Sequence, residues 1–346
     1  MKGEFYIGLL ALLLLLAGCD KVDAGRGEND GEAWPVSFML AGVTPTRADG
    51  ATGVADGTEL TIAAYDPNSH NLVAARNYKV TSGSLTLDET DSEAMYLSVG
   101  TYDFCAMTPR QVLTGTGKDG KHGHIQQGVD ALGSVTRAQV EAAATTAIQL
   151  ANLDHLASQI SFTVQVVKQE VDSVVSFAVQ SIEIEGMVKA TTDNYLLPEN
   201  KLVIPAIEET DRFEKLTIDG SDAFTAGGKG NGSGPGYINT QKTPRVVFPK
   251  AESTFNSIIK VKIQRNKETE ATDRLLSVKI NRLAFEPGKR YLFEVNYGWD
   301  YVRFNITVAP WTTVTDDSEV GGGVQTVTHT ININPWGEDT KLDMDI

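Results

Sequence analysis

Between Trp34 and Leu40 the chain alternates, with the large apolar residues Trp34, Val36, Phe38 and Leu40 on one parity and Pro35, Ser37 and Met39 on the other. A period of two places one set on a single face of an extended chain, so the stretch predicts a strand with one buried side. A Pro/Thr turn follows and ends in a lone basic residue, Arg47, in front of Ala48. Similar short runs return along the chain: Leu60 to Tyr65, Leu72 to Val80, Ser84 to Leu87, Met95 to Val99 and Thr101 to Met107. After Leu153 come Ile160 to Val167, Val174 to Ile184, Ser257 to Gln264, Leu275 to Ile280, Tyr291 to Tyr297 and Tyr301 to Ala309. Closely spaced strands divided by Gly, Asp, Asn and Pro turns, with no helices alternating between them, predict an all-β antiparallel sandwich architecture.

Four segments interrupt or extend that rhythm. Thr136 to Ala147 is Ala-rich, with Thr136 as N-cap and Gln139 closing a capping box, and it predicts one short helix. In Val174 to Ile184 the apolar parity slips by one after Val179, which predicts a bulge near Gln180. The glycine-rich run from Ala226 to Gly236 is a surface loop rather than a phosphate loop, because Gly230 follows Lys229 where nucleotide binding wants Ser or Thr. Beyond the acidic, Gly-ended linker 312–323, the residues Val327, His329, Ile331 and Ile333 again alternate with Thr and Asn. They predict a strand with no obvious place in the chain, an aggregation hazard unless something covers it.

The N-terminus adds a targeting signal. Lys2 precedes an apolar run from Tyr6 to Ala17, which is about the length of a signal-peptide core and too short for a membrane-spanning helix. It ends in Leu16-Ala17-Gly18-Cys19, which resembles a bacterial lipobox, so residues 1–18 are expected to be removed and Cys19 to carry lipid. Residues 20–33 are rich in Gly and acid and read as a tether. Once Cys19 is acylated, Cys105 has no partner for a disulfide, so the exported fold must be stable by packing alone. Cys105 falls in an alternating strand and is expected to be a buried thiol.

Composition limits the partners. With 45 Asp and Glu against 30 Lys and Arg, a net charge of −15, the chain lacks the basic surface that nucleic acid requires. His122-Gly123-His124 is flanked by Lys118 and Lys121 with Asp119 as the one nearby carboxylate, and reads as a solvated loop rather than a metal site. His155 has no Ser or Cys nucleophile paired with it in a motif and reads as a hydrogen-bonded structural residue. No paired carboxylates, nucleophile elbow or metal cluster emerges, so no catalytic, metal-binding or cofactor-binding residue is assigned and the chain is not expected to be an enzyme.

The lipobox at Cys19, the strand and Arg47 before Ala48, Tyr102-Asp103-Phe104, His155-Leu156, Phe285-Glu286-Pro287-Gly288-Lys289-Arg290-Tyr291 and Ile306-Thr307-Val308-Ala309-Pro310-Trp311 together resemble the fimbrillin family of Bacteroidales type V pili. The resemblance implies two tandem transthyretin-like β-sandwiches, here residues 48–153 and 154–346, the second carrying a donor tail from about 324. It also implies export as a lipoprotein to the outer membrane, cleavage between Arg47 and Ala48 by an Arg-specific protease, and loss of residues 19–47 with the strand Trp34, Val36, Phe38 and Leu40. A strand from a neighbouring subunit then fills the groove, and Val327, His329, Ile331 and Ile333 are the candidate donor residues. The implied function is a stalk or tip subunit of a surface pilus that supports adhesion, with other fimbrial subunits as partners. The alternative is a non-polymerising surface lipoprotein or pilus anchor that binds glycan or protein, with Arg47 uncut and the tail folded back on its own domain.

Overall fold

The computed structural model describes residues 32–41, 54–88, 93–111, 113, 120–206, 208–220, 223–298, 301–311, 325–332 and 341–344. The fold is all-β, and its described helical turns are short 3-10 pieces, Lys168–Ser173, Leu197–Glu199 and Thr210–Arg212.

In the first half a six-stranded sheet runs in the order Asp154–His155, Leu132–Val140, Gly100–Thr108, Glu59–Tyr65, Leu72–Thr81, Ser84–Leu87. A three-stranded layer covers one face: Met95–Ser98, Ala33–Met39 and Thr146–Gln149. Leu60, Ile62, Ala64, Phe104 and Ala106 pack toward that layer, whereas Ala63, Tyr65, Cys105 and Met107, of opposite parity, join a different buried cluster. The two central strands are thus apolar on both faces, which explains why LTIAAY reads as an unbroken apolar run instead of an alternating one.

The second half packs a seven-stranded sheet on a five-stranded one. The first runs Phe224–Ala226, Gly236–Gln241, Ser158–Val166, Lys289–Tyr297, Tyr301–Pro310, Gln325–Asn332, with Arg245–Val247 also pairing Ser158–Val166. The second runs Phe213–Asp219, Val174–Val188, Lys250–Arg265, Thr272–Phe285, Lys341–Met344. Between them lies a core holding Phe162, Phe177, Phe255, Phe285, Phe293 and Phe304. The register of the long Val174–Val188 strand shifts between Val179 and Ser181, the bulge expected at Gln180. The charged segment 266–271 forms the tip of the hairpin between Lys250–Arg265 and Thr272–Phe285.

A third cluster, with Tyr65, Cys105, Met107, Leu156, Tyr195, Leu197, Phe248 and Trp311, joins the halves. The Glu286-Pro287-Gly288 turn is the knot at this junction. The Gly288 amide donates to Ala157 O and the Trp311 amide to Gly288 O, both at 2.8 Å, while the Ser158 hydroxyl donates to Glu286 O at 2.6 Å. Gly288 has φ +67°, a left-handed conformation that a side chain would strain. His155 stacks on Trp311 with centroids 4.3 Å apart, and its Nδ1 lies 2.9 Å from Asp130 Oδ1, the structural role expected of it.

Two expectations are corrected here. Thr136 to Ala147 is not a helix: Leu132–Val140 is a strand paired with Gly100–Thr108, and Thr146–Gln149 is another. Arg137 grips Asp103 with Nε to Oδ1 at 2.7 Å and Nη2 to Oδ2 at 2.8 Å, and the Thr136 hydroxyl accepts the Ala151 amide rather than capping a helix. Ladder bonds and a bidentate pair outweigh an alanine propensity worth a few tenths of a kcal/mol per residue, roughly speaking. Nor is the His122–His124 segment simply a solvated loop. His122–Gly123 forms a short strand with Tyr195–Leu196, and Gly123 and Ile125 are buried at the junction.

Candidate functional site

The three-stranded layer is the site. Ala33–Met39 is its middle strand, antiparallel to Met95–Ser98 and parallel to Thr146–Gln149. Its first four residues, Ala33 to Val36, pair with one neighbour and its last four, Val36 to Met39, with the other, so Val36 belongs to both ladders. Pro35 cannot donate a hydrogen bond, and it lies in the part of the strand that is paired on one side only.

The expected parity holds. Val36 and Phe38 are 3% and 7% exposed, and Trp34 and Leu40 are half-buried against the same cluster. Phe38 meets the rings of Tyr78 and Phe104 edge-on at 5.5 and 5.4 Å. Met39 and Tyr96 lie about half-exposed on the outer side, at 49% and 48%. Burying Val36 and Phe38 contributes about 1.5–3 kcal/mol each. Among the described residues the flanking strands have no other partner in this layer, so the layer exists as a sheet only while a strand occupies the centre.

The sequence missed the far wall of this groove. Thr146–Gln149 places Ile148 in the cluster beside Phe38, at 4% exposure, yet the Ala-rich run before it concealed a strand. The signal was present in the β-branched Thr146 and Ile148.

The other site residues are placed apart from this groove. Gln325–Asn332 pairs antiparallel with Tyr301–Pro310 at the edge of the seven-stranded sheet, with Val327 opposite Ile306, His329 opposite Phe304 and Ile331 opposite Val302. The strand therefore has a place within its own chain, where the sequence offered none. Lys341–Met344 adds in parallel to Thr272–Phe285 at the edge of the other sheet. Cys19, Arg47, Ala48 and Ile333 lie outside the described residues.

Among the described residues no cluster of three or more His, Cys, Asp or Glu could hold a metal ion. No described helix is long and apolar enough to cross a membrane. Cys105 is buried, with Sγ 3.6 Å from the Tyr195 hydroxyl, and burial pushes its thiol up to about 12. Burial also raises Tyr65 and Tyr195, so this junction cluster stays uncharged. The glycine-rich loop 227–235 joins the antiparallel strands Phe224–Ala226 and Gly236–Gln241, and Lys229 pairs with Asp172 at 2.8 Å.

A family model described as fimbrillin-like matches residues 46–311. Among curated proteins nothing matches the chain. Solved structures resemble the chain at low identity. A candidate cell adhesion protein from Parabacteroides distasonis is 10% identical with a TM-score of 0.50, over 81% of this chain and 100% of that one. One from Bacteroides fragilis is 16% identical with a TM-score of 0.48, over 89% and 99%. A fimbrial assembly protein from Parabacteroides distasonis is 10% identical with a TM-score of 0.42, over 86% and 99%.

Proposed function

The chain belongs to the fimbrillin-like family, and from that premise we propose that it is a structural subunit, stalk or tip, of a cell-surface pilus that supports adhesion. On this reading the precursor is exported and held at the outer membrane by lipid on Cys19, and cleavage between Arg47 and Ala48 releases residues 19–47. The observation that carries the proposal is the central, two-sided placement of Ala33–Met39. A segment upstream of a lone Arg supplies the middle strand of a layer and two deeply buried side chains, so its loss leaves an apolar groove lined by unpaired backbone. Strand addition satisfies both defects together, through main-chain hydrogen bonds and side-chain pockets. The donor is the segment Val327 to Ile333 of a neighbour, and head-to-tail donation does not close, so it builds a filament.

A second reading is favoured by the tail. Gln325–Asn332 lies along its own chain's Tyr301–Pro310, which supports the reading of a non-polymerising surface lipoprotein or an anchor that retains its first strand. Limited digestion with an Arg-specific protease separates the two. A subunit loses its N-terminal segment, begins at Ala48 and then forms SDS-resistant ladders. Resistance at Arg47, or a permanent monomer after cleavage, sinks the subunit reading and leaves the anchor.

A further inference from the structure

Two long connections meet at the junction of the halves. Thr108 faces Leu132 in one antiparallel ladder, and Val188 faces Phe213 in another. A turn of about 2–5 residues could close either hairpin, yet residues 109–131 join the first pair and residues 189–212 the second. Connections of that length are uncommon in a compact fold and call for a reason. We propose that the two connections are the arms of a clasp, which locks the halves at one angle and makes them unfold as a single cooperative unit. The clasp does not depend on what fills the groove, and it serves a pilus subunit and an anchor alike.

The first arm is tied to its own half. The Tyr65 hydroxyl donates to Gly120 O at 2.7 Å, Lys121 Nζ to Ser69 O at 3.0 Å, and the His124 amide to Gln111 Oε1 at 2.7 Å. The second arm grips it. Tyr195–Leu196 forms a ladder with His122–Gly123, and the Leu197 amide donates to Lys121 O at 2.9 Å. Asn194 extends this pairing with its side chain: Oδ1 accepts the Ile125 amide and Nδ2 donates to Ile125 O, both at 2.8 Å. Ile125 is fully buried, so loss of Asn194 strands two backbone groups away from water, which is strongly disfavoured. At the rim His124 Nδ1 donates to Thr191 O at 2.8 Å.

Beyond the ladder the second arm drives a knob into the first half. Tyr195 and Leu197 are fully buried in one cluster with Tyr65, Cys105, Met107 and Ile125. The Tyr195 hydroxyl donates to Asn200 Oδ1 at 2.7 Å, and Asn200 adopts a left-handed conformation (φ +50°) that asparagine tolerates better than most residues. This pair closes over Gly133, on the strand Leu132–Val140. A Cβ there would overlap Asn200 Oδ1 and stand 3.0 Å from the Tyr195 hydroxyl oxygen, so the socket exists because Gly133 has no side chain. Domains move relative to one another unless an apolar interface holds them, and this junction is apolar and interlocked.

Hydrogen exchange of the full-length chain in rising urea, read by mass spectrometry, tests the clasp. Peptides from Gly100–Thr108 and from Lys250–Arg265 report the two cores. In the parent chain the slowest amides of both should lose protection at one urea concentration, as in a single cooperative unit. Phe38→Ala, a defect on the far face of the first sheet, should move both losses together to lower urea. Asn194→Ala and Gly133→Ala, which open the clasp, should separate the two losses by about 0.5 M urea or more. Separate losses in the parent overturn the proposal, and so does a Phe38→Ala shift confined to the first half. Coincident losses in both Asn194→Ala and Gly133→Ala also overturn it, because the arms would then add stability without coupling the halves.

Discussion

Ala33–Met39 and Gln325–Asn332 are alike in length and alternation, and they differ in where the fold puts them. The first is the middle of a layer, with a neighbour on each side and two side chains in the core. The second is an edge, paired along its length with Tyr301–Pro310 and, among the described residues, with no strand beyond it in the sheet. A middle strand holds its layer together, whereas an edge strand can leave while the sheet behind it keeps its own ladder. The difference suits the two roles proposed: one segment whose removal creates a vacancy, and one that is free to fill a vacancy elsewhere at small cost to its own domain.

The most severe way to break this comparison is to empty the centre of the layer by mutation. Phe38→Ala in the uncleaved chain should cost about 3–5 kcal/mol of unfolding free energy, since the surrounding Tyr78, Phe104 and Ile148 close the cavity only partly. Urea titration followed by circular dichroism measures it, and a loss below 1 kcal/mol, roughly the size expected at an exposed site, would show that the strand is not part of the core.

A subtler measurement asks whether losing the first strand opens the whole domain or only one face. Cys105 lies on the opposite face of the six-stranded sheet from the groove, and its buried thiol is pushed up to about 12. In a chain with Cys19 replaced by Ser and cleaved at Arg47, Cys105 should label with a thiol reagent at pH 8 at least about 100-fold more slowly than in urea, because the thiolate is the reactive form. Labelling at the unfolded rate would mean that the damage crosses the sheet into the junction.

The smallest effect belongs to the tail. Deleting residues 324–346 should lower the unfolding free energy by no more than about 1 kcal/mol, a shift of about 2–4 °C in Tm, while abolishing ladder formation. A larger fall in the melting transition would show that the tail strands are integral to the second core and poorly suited to leave it.

Much of this was legible in local pattern. The parity of Trp34, Val36, Phe38 and Leu40, the bulge at Gln180, the burial of Cys105 and the structural role of His155 follow from side-chain period and chemistry that neighbours in sequence already display. The Ala-rich run was misread for the complementary reason. Its helix propensity is local, but Arg137 answers to Asp103 and the whole Leu132–Val140 strand to Gly100–Thr108, partners about 30 residues earlier in the chain. That error hid Thr146–Gln149, one of the two walls of the groove. The His122–Gly123 strand was missed likewise, because its partner Tyr195–Leu196 belongs to the other half of the molecule.

The sequence by itself determined that the chain is built largely of strands, which residues of the alternating strands face inward, and where a basic residue follows the first of them. These are properties of a period of two and of side-chain solubility, and both are written within a few residues. Only the tertiary structure decided that the first strand is central and the tail strand peripheral. Both carry the same alternation, and position in a sheet depends on which distant backbone offers its unpaired N–H and C=O groups, a pairing that no local pattern encodes.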